Sequence, residues 1–326
     1  DYKKNRKIYM GKTLLITGGT GSFGNAVAKQ SLKSKKYSEI RIFSRDESKQ
    51  EKMRFEFKDS KFSFYLGDIR DLDRIKKVSG GVTHIFHAAA LKQVPSCEFS
   101  VWETIKTNII GSKNVIDSAI SNNVQNLTML STDKSVYPIN VMGMTKALME
   151  KLAIHVNFPK NTKINCVRYG NVMHTRGSVI PLFVEQILNK KDITLTNPEM
   201  TRFMMRIDES IKLVEESINS KKSNEIFVKK SSATNMYSLA LALNKIFNSK
   251  SKILTVGIRP GEKIYETLIN YEEMIRTINK PDYFIIKKIN NIKPKKLLKE
   301  YNSNNTSQLP MEDLIKLLKN LPEVKN

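Results

Sequence analysis

The sequence predicts an α/β protein built on a doubly wound parallel sheet, with a smaller C-terminal lobe. Two observations carry that prediction. Short apolar segments with strand character alternate with segments of helical periodicity through the first half of the chain. Parallel strands need such crossover helices, which then cover both faces of the sheet. A glycine-rich segment also joins the first strand to the first helix, which is typical of a Rossmann-type sheet.

The individual elements follow from the apolar pattern. We predict strands over residues 13–17, 40–43, 62–66, 83–87, 127–130 and 164–168. We predict helices over residues 25–32, 101–121 and 142–155. After an irregular stretch, a strand at 225–229 and a helix at 237–247 are expected to return to the sheet.

The same pattern divides the chain into two parts. Residues 10–170 are expected to form the larger domain, joined by the returning elements within 205–248. Beyond the sixth strand, prolines interrupt the regularity, so we assign residues 171–204 and 249–326 to the second lobe. Because Met10 directly precedes the first apolar strand, we expect it to be the natural start.

Composition limits the partners and the location of the protein. The 326 residues include 55 Lys and Arg against 32 Asp and Glu, a net charge of +23. The lysines are scattered and form no motif interleaved with aromatic residues, so we expect no nucleic-acid partner. No apolar run approaches the roughly 18 residues of a membrane span, so we expect no membrane segment. Cys97 and Cys166 have no disulfide or metal spacing, which predicts a cytoplasmic protein without a metal.

The glycine-rich segment has the features of a dinucleotide-binding loop. Three of its glycines are spaced three residues apart, directly after a strand and before a helix. Glycines allow a tight turn and let a pyrophosphate approach the helix N-terminus, where free N–H groups favour negative charge. The expected contacts are Gly18, Thr20, Gly21, Ser22, Phe23 and Gly24.

The end of the second strand bears on the choice of dinucleotide. Ser44 and Arg45 stand where they would accommodate a 2′-phosphate, which favours NADP. Asp46 follows directly, and a shift of one residue would instead favour NAD. Other expected cofactor contacts lie after the third and fourth strands: Asp68, Ile69, Ala88 and Ala89.

A candidate catalytic group follows the fifth strand. Thr132, Asp133 and Lys134 place a carboxylic acid and an amine side by side at a strand's carboxyl end. Lys146 lies four residues after Met142, where a tyrosine would be expected. A surface ion pair is the alternative interpretation of Asp133 and Lys134.

These segments resemble the extended short-chain dehydrogenase/reductase superfamily. More narrowly, the chain is similar to the inverting UDP-N-acetylglucosamine 4,6-dehydratases (5-epimerases) of bacterial capsule and flagellar-glycan synthesis. The resemblance covers residues 13–306 and rests on the motifs ITGGTGSFGNAV, RIFSRDE, HAAALKQVPSCE, STDK, YPIN, RYGNVM, RGSVIPLF, MTRFMM, GEK and YNSNNT. Capsule enzymes of this kind also carry methionine in place of the tyrosine.

The resemblance implies a role for each matching residue. Thr132 would bind the C4 hydroxyl, Asp133 would protonate the departing C6 hydroxyl and Lys134 would be the base at C5. Lys146 would bind the nicotinamide ribose and lower nearby pKa values. The implied contacts with the substrate are Lys92, Asn171, Arg259 and Glu262. Lys92 would also border the cofactor. The segment 301–306 would form a C-terminal latch, and the protein would be a dimer or hexamer.

Met142 leaves the base at the C4 hydroxyl open, because a thioether neither accepts nor donates a proton here. The candidates are Lys134 with its pKa lowered by burial, a water held by Lys146, and the phenol of Tyr137. His87 and His174 are expected to be structural.

Two other functions remain as alternatives. A UDP-sugar 4-epimerase would use the same dinucleotide but would need no acid at C6. A dinucleotide-binding regulator without catalysis is the non-enzymatic alternative, and the presence of Thr132, Lys134 and Lys146 argues against it.

Overall fold

The computed structural model describes residues 11–155, 161–173, 179–258, 261–288 and 298–325. Met10, His174 and Arg259 lie outside the described residues. The strands are β1 Lys12–Thr17, β2 Tyr37–Ser44, β3 Phe62–Leu66, β4 His84–His87, β5 Asn126–Leu130, β6 Lys163–Arg168, β7 Ile193–Leu195, β8 Thr201–Phe203, β9 Ile226–Lys229, β10 Ala233–Asn235, β11 Ile253–Thr255, β12 Thr267–Ile269, β13 Thr277–Asn279, β14 Tyr283–Ile286 and β15 Tyr301–Asn302.

The helices alternate with these strands through the first half of the chain. They are α1 Ser22–Lys33, α2 Glu47–Phe57, α3 Leu72–Val78, α4 Val94–Phe99, α5 Val101–Ile105, α6 Gly111–Ser121, α7 Val141–His155, α8 Val179–Leu188, α9 Ile207–Asn219, α10 Met236–Ile246, α11 Tyr271–Ile275 and α12 Met311–Leu318. A π-helical turn, Lys106–Ile110, joins α5 to α6, and a 3-10 turn, Asp133–Ser135, follows β5. The predicted helix 101–121 is therefore present, with a widened turn in its middle.

Nine strands of the described chain form one sheet in the order β13-β14-β9-β6-β5-β4-β1-β2-β3. Strands β1 to β6 and β9 run parallel, while β14 and β13 add an antiparallel edge. The strand order reverses between β1 and β4, which is the point where ligands bind in open sheets of this kind. The predicted doubly wound, Rossmann-type fold is confirmed, and the six predicted strands are present.

Each face of the sheet is covered by helices. On one face, Leu15, Leu127 and Ile164 pack with residues of α3, α6 and α7. On the other, Ile16 and Val167 pack with residues of α1 and α9. Because both faces are buried, the central strands are apolar along their length, which is why they were recognisable in the sequence.

A third apolar cluster forms the smaller lobe, built around α8, α10 and α12. Strand β9 joins the main sheet beside β6, as expected. The helix expected at 237–247, observed as α10, packs in the smaller lobe and not on the sheet. The helix that covers the sheet at this point is α9, which the sequence pattern did not identify.

Within the ranges described above, no helix is both long enough and apolar enough to cross a membrane.

Candidate active site

Most of the predicted site residues follow the carboxyl ends of β1 to β6, along the edge of the sheet where the strand order reverses. Strand β1 leads into the glycine loop, and β5 leads into the 3-10 turn that carries Asp133 and Lys134. Because parallel strands present their carboxyl ends at one edge, segments more than 100 residues apart in sequence meet there.

The loop between β1 and α1 fits a dinucleotide pyrophosphate. Gly18 has φ +68°, and a Cβ there would lie 2.7 Å from the Ala89 nitrogen, so only glycine allows this approach of the two strand ends. Helix α1 begins after Gly21, and among the described residues no side chain caps it. Its first N–H groups are therefore available to a phosphate.

A chain of buried hydrogen bonds connects the end of β1, where the glycine loop begins, to the end of β4 and to α6. His87 Nδ1 lies 2.7 Å from the Thr17 hydroxyl, and His87 Nε2 lies 3.0 Å from the Ser112 hydroxyl. The Ser112 hydroxyl donates to the Asn108 carbonyl, so His87 Nε2 carries the hydrogen and Nδ1 accepts from Thr17. Burial and the nearby charge of Lys146 lower the pKa of His87 to about 3, so it stays neutral. This placement fits the structural role expected of His87.

The residues expected to select the dinucleotide lie at the ends of β2 and β3. The Asp46 carboxylate accepts the Lys49 N–H and caps α2, so it already has a structural partner. Arg45 is half-exposed and lies 3.7 Å from the Asp68 carboxylate. Burial tends to raise the pKa of Asp68, but hydrogen bonds from Arg70 and the charge of Arg45 hold it below its usual value.

The remaining expected cofactor contacts surround the same edge. Thr20, Ser22 and Phe23 are partly exposed in and after the glycine loop. Ala88 and Ala89 follow β4 and are partly exposed, whereas Ile69 is buried. Lys92 is exposed beyond them.

The π-helical turn fixes the segment that leads to Lys92. The Asn108 side chain accepts the Leu91 N–H at 2.8 Å and donates to the Leu91 carbonyl at 2.9 Å. It also donates to the Thr145 hydroxyl on α7 at 3.0 Å. Asn108 thereby ties the loop after β4 to the helix that carries Met142 and Lys146.

The 3-10 turn after β5 presents the acid and the amine together. The Asp133 carboxylate is 1% exposed, and its Oδ1 accepts from the Thr132 hydroxyl at 2.8 Å and the Lys134 amine at 3.1 Å. Its Oδ2 has no hydrogen-bond partner within the described part of the chain. A buried, unpartnered carboxylate oxygen is costly, so the geometry differs from that of a surface ion pair and is suited to a substrate group.

Lys134 has a second acidic neighbour that the sequence analysis did not identify. Glu266 Oε1 lies 3.4 Å from the Lys134 amine. Burial tends to lower the pKa of Lys134, but the carboxylates of Asp133 and Glu266 outweigh it and hold the pKa above its usual value. This is opposite to the lowering proposed for Lys134 as the base at C4.

Lys146 is an amine of the site whose pKa is lowered, and burial also lowers the pKa of Lys263. Lys146 is buried and donates to the Leu130 carbonyl at 2.7 Å. Burial lowers its pKa from 10.5 to about 8. Met142 lies one turn earlier on α7 and is buried. Tyr137 is half-exposed, and burial and Glu300 raise its pKa, which makes its phenol a weaker base candidate.

The N-terminus of α7 packs directly on the 3-10 turn. A Cβ on Gly143 would overlap the Lys134 carbonyl oxygen, so glycine permits this contact. The Asn140 side chain accepts the Gly143 N–H at 2.8 Å and donates to the Gly261 carbonyl at 3.2 Å. These contacts join the acid and amine to the segment that contains Glu262.

A network of buried ion pairs is connected to the 3-10 turn through a hydrogen bond from Ser135. Arg168, 1% exposed, donates to both oxygens of Glu150 and to both oxygens of Glu273. The Ser135 hydroxyl donates to Glu150 at 3.0 Å. The 3-10 turn, α7, β6 and α11 are therefore held in one arrangement by charge-assisted hydrogen bonds.

Two of the expected substrate contacts that the structure describes lie after β6 and before β12. Asn171 is exposed just after β6, and Glu262 is partly exposed. Arg259 lies outside the described residues. In the segment expected to be a latch, Tyr301 and Asn302 form β15 and pair with β12.

Three charged residues near Lys134 were missed as site residues: Arg202, Lys263 and Glu266. Lys263 donates to the Val136 carbonyl at 2.7 Å, and Arg202 donates to the Lys263 carbonyl at 2.9 Å. The motifs MTRFMM and GEK contained two of them, but only the fold brings them to the turn after β5. No cluster of potential metal ligands is found in the described residues.

Comparison with known proteins identifies the family of the chain. Residues 14–288 match the family model described as polysaccharide biosynthesis protein. A Rickettsia bellii protein named UDP-glucose 4-epimerase is 49% identical, and the match covers 98% of each chain. A Rickettsia prowazekii protein of the same name is 47% identical, again over 98% of each chain.

Solved structures agree on the fold. The X-ray structure of Pen from Bacillus thuringiensis is 35% identical, covers 95% of this chain and 97% of its own, and has a TM-score of 0.88. A dTDP-glucose 4,6-dehydratase from Streptomyces venezuelae with NAD bound is 20% identical, covers 77% and 86%, and has a TM-score of 0.71. The chain therefore belongs to the polysaccharide biosynthesis protein family, within the extended short-chain dehydrogenase/reductase enzymes that include nucleotide-sugar dehydratases and epimerases.

Proposed function

We propose that this protein is a UDP-N-acetylglucosamine 4,6-dehydratase that also inverts C5, giving a UDP-2-acetamido-2,6-dideoxy-L-hexos-4-ulose for surface-glycan synthesis. The observation that carries the proposal is the ion pair of the buried Asp133 and the partly buried Lys134 after the end of β5. A reaction that only oxidises and reduces C4 has no use for a second acid and base. A dehydration across C5 and C6 needs both.

The order of steps follows from the acidity of the sugar. The C5 proton is not acidic until C4 is a ketone, so oxidation at C4 must come first. The bound dinucleotide would accept hydride from C4 and return it to C6, which makes the overall reaction redox-neutral. The protein must therefore supply one base at the C4 hydroxyl, one base at C5 and one acid at the C6 hydroxyl.

Asp133 and Lys134 reach the protonation states that the elimination requires when one proton moves from the amine to the carboxylate. In the structure they form an ion pair with 3.1 Å between the amine and Oδ1. Moving one proton along that hydrogen bond gives a carboxylic acid and a neutral amine. Asp133 would then protonate the leaving C6 hydroxyl while Lys134 takes the C5 proton, which restores the ion pair. Reprotonation of C5 from the opposite face would give the L-sugar.

Lys146 is the best candidate for promoting loss of the C4 hydroxyl proton. Met142 has no proton to exchange, and Lys134 is held in the ammonium form. With a pKa of about 8, part of the Lys146 population is neutral near physiological pH. It could act directly or through a water, while Thr132 would bind the C4 oxygen.

We propose NADP as the cofactor, with NAD less favoured. Arg45 is half-exposed at the end of β2, where a guanidinium can pair with a 2′-phosphate. Asp46 is engaged in capping α2, which makes it a poorer partner for the ribose hydroxyls of NAD. The pyrophosphate would lie on the glycine loop, and Lys146 would face the nicotinamide ribose.

We assign residues 171–204 and 249–326 to substrate binding and residues 10–170 to dinucleotide binding. Asn171, Arg259 and Glu262 would contact the UDP moiety or the sugar, and Lys92 would border both ligands. This assignment rests on the family resemblance and on the closeness of the 261–266 segment to the catalytic turn.

We also propose a homo-oligomer, either a dimer or a hexamer. Phe99, Trp102, Met144 and Leu148 are exposed apolar side chains on or next to α5 and α7. Apolar groups at this density usually mark an interface. Light scattering at micromolar concentration should give at least twice the 37.3 kDa chain mass. A monomer would contradict the proposal.

A UDP-sugar 4-epimerase is the second candidate, because the curated Rickettsia relatives carry the name UDP-glucose 4-epimerase. Proton NMR of UDP-N-acetylglucosamine incubated with enzyme and NADP in D2O separates the two. The dehydratase should produce a new methyl signal and replace the C5 proton by deuterium. An epimerase should change only the configuration at C4. The absence of any turnover would favour a non-catalytic regulator.

A further inference from the structure

Glu266 is a buried carboxylate that the proposed reaction does not yet use. It directly precedes β12 and is 3% exposed. Its backbone is fixed on both sides by Ser303, whose hydroxyl accepts the Glu266 N–H at 3.0 Å and whose N–H donates to the Glu266 carbonyl at 2.8 Å. The main chain of Glu266 is thereby fixed, and its side chain extends toward Lys134.

The carboxylate of Glu266 is only partly compensated. Oε1 lies 3.4 Å from the Lys134 amine, and Oε2 lies 3.8 Å from the Lys263 amine. Among the described residues, Oε2 has no hydrogen-bond partner. Burying a carboxylate with incomplete pairing is unfavourable for stability. A role in folding alone therefore explains this residue poorly.

We propose that Glu266 is a positioning residue of the active site, whose carboxylate anchors the Lys134 ammonium between itself and Asp133. This inference deepens the proposed dehydratase function and rests on it for the role of Lys134 as the C5 base. Two carboxylates then confine the amine, so that it faces the sugar from one direction. Asp133 keeps its second oxygen for the C6 hydroxyl.

The charges around Lys134 come from three parts of the chain. Asp133 precedes it on the 3-10 turn, and Arg202 approaches from β8. Lys263 and Glu266 approach from the segment before β12. Asp133 and Glu266 favour the ammonium form of Lys134, while Arg202 and Lys263 oppose it. When the charge of Glu266 alone is removed, the Asp133 carboxylate still favours the ammonium form of Lys134, and two cations, Arg202 and Lys263, oppose it.

Two consequences follow for Glu266→Gln. The pKa of the Lys134 amine should fall by about one unit, the lower end of the effect of an opposite charge at this separation. The active pair carries one proton, which is lost when Lys134 deprotonates, so the basic limb of the kcat/KM profile should move to lower pH by a similar amount. The looser amine should lower kcat several-fold while KM changes little.

The test measures Lys134 directly and needs no substrate. Protein labelled with 13C and 15N in lysine is titrated by NMR, and the Lys134 signal is identified by its loss in Lys134→Arg. Glu272→Gln is the matched control, because it removes the same charge from an exposed position paired with Arg276. We expect a lower Lys134 pKa in Glu266→Gln and an unchanged value in Glu272→Gln.

The outcomes are distinguishable. An unchanged Lys134 pKa in folded Glu266→Gln, or an equal fall in Glu272→Gln, overturns the positioning role. If Glu266→Gln does not fold, Glu266→Asp keeps the charge on a shorter side chain; it should give a smaller fall, and a wild-type value would overturn the proposal. If the wild-type enzyme makes no methyl sugar but the pKa falls as expected, the dehydratase function fails while the anchoring of Lys134 by Glu266 stands.

Discussion

Replacing Gly18 by alanine tests whether the glycine loop is shaped by contact between the ends of β1 and β4. The new Cβ would lie 2.7 Å from the Ala89 nitrogen and 2.8 Å from the Ala89 Cα, both backbone atoms that cannot swing away. Ordinary contact begins at 3.4 Å, so the two segments must separate by 3.4 − 2.7 = 0.7 Å. The φ of +68° adds strain for any residue with a Cβ.

A matched control separates strain from overlap. Gly81 has φ +73°, but a Cβ there would meet nothing within 4 Å. Gly81→Ala should therefore lose only the stability that a positive φ costs a residue with a Cβ, about 1–2 kcal/mol. Gly18→Ala should lose that amount plus about 1–3 kcal/mol for overpacking. A shift of this size at the pyrophosphate site should also weaken NADP binding at least about tenfold.

The assay is chemical unfolding of both variants, followed by calorimetric titration with NADP. Gly18→Ala should be the less stable of the two, and it alone should lose NADP affinity. Equal losses of stability, or wild-type NADP binding by Gly18→Ala, would show that the close approach of the strand ends does not shape the cofactor loop.

Three further predictions follow from the site. Arg45→Ala should weaken binding of NADP much more than binding of NAD in calorimetric titrations, whereas equal losses would show that Arg45 does not contact the 2′-phosphate. Asp133→Asn should still oxidise C4 and then stall, giving a single-turnover absorbance burst near 340 nm, as expected for a reduced nicotinamide; steady turnover to a methyl sugar would remove Asp133 from the acid role. Lys146→Met should change how stability depends on pH. Because the folded pKa of Lys146 is about 8 and the ordinary value is 10.5, the unfolded wild-type chain binds more protons between these values. Wild-type stability relative to Lys146→Met should therefore rise with pH across that window, by at most about 1.4 kcal/mol per pH unit, and a flat difference in urea unfolding would refute the shift.

The sequence predicted the parts of the fold that are built from local periodicity. The central strands of the sheet are buried on both faces and, like the edge strand β3, read as apolar runs, so the positions of β1 to β6 could be recognised. Helix α9 was missed because its apolar residues are interspersed with charged ones after an irregular stretch. The antiparallel edge of β13 and β14 was also missed, since short strands late in the chain carry little periodic signal.

In the candidate site, too, the sequence predicted what is local and missed what depends on distant parts of the chain. Asp133 and Lys134 are adjacent in sequence, so their pairing was visible as a motif. Glu266 lies far along the chain, and only the folded structure brings it to the turn after β5. The sequence suggested a lowered pKa for Lys134, whereas the carboxylates of Asp133 and Glu266 together raise it. The charge state of a buried amine depends on neighbours that local sequence does not reveal.

In the proposed reaction, one active site both oxidises C4 and eliminates water across C5 and C6. Both steps are followed at once by the fate of the hydrogen on C4, using UDP-N-acetylglucosamine deuterated at that carbon and NMR or mass analysis of the product. We expect the deuterium to appear in the new C6 methyl group of a 4-keto sugar. Deuterium retained at C4 of a hexosamine without a methyl group would contradict it and would identify a 4-epimerase.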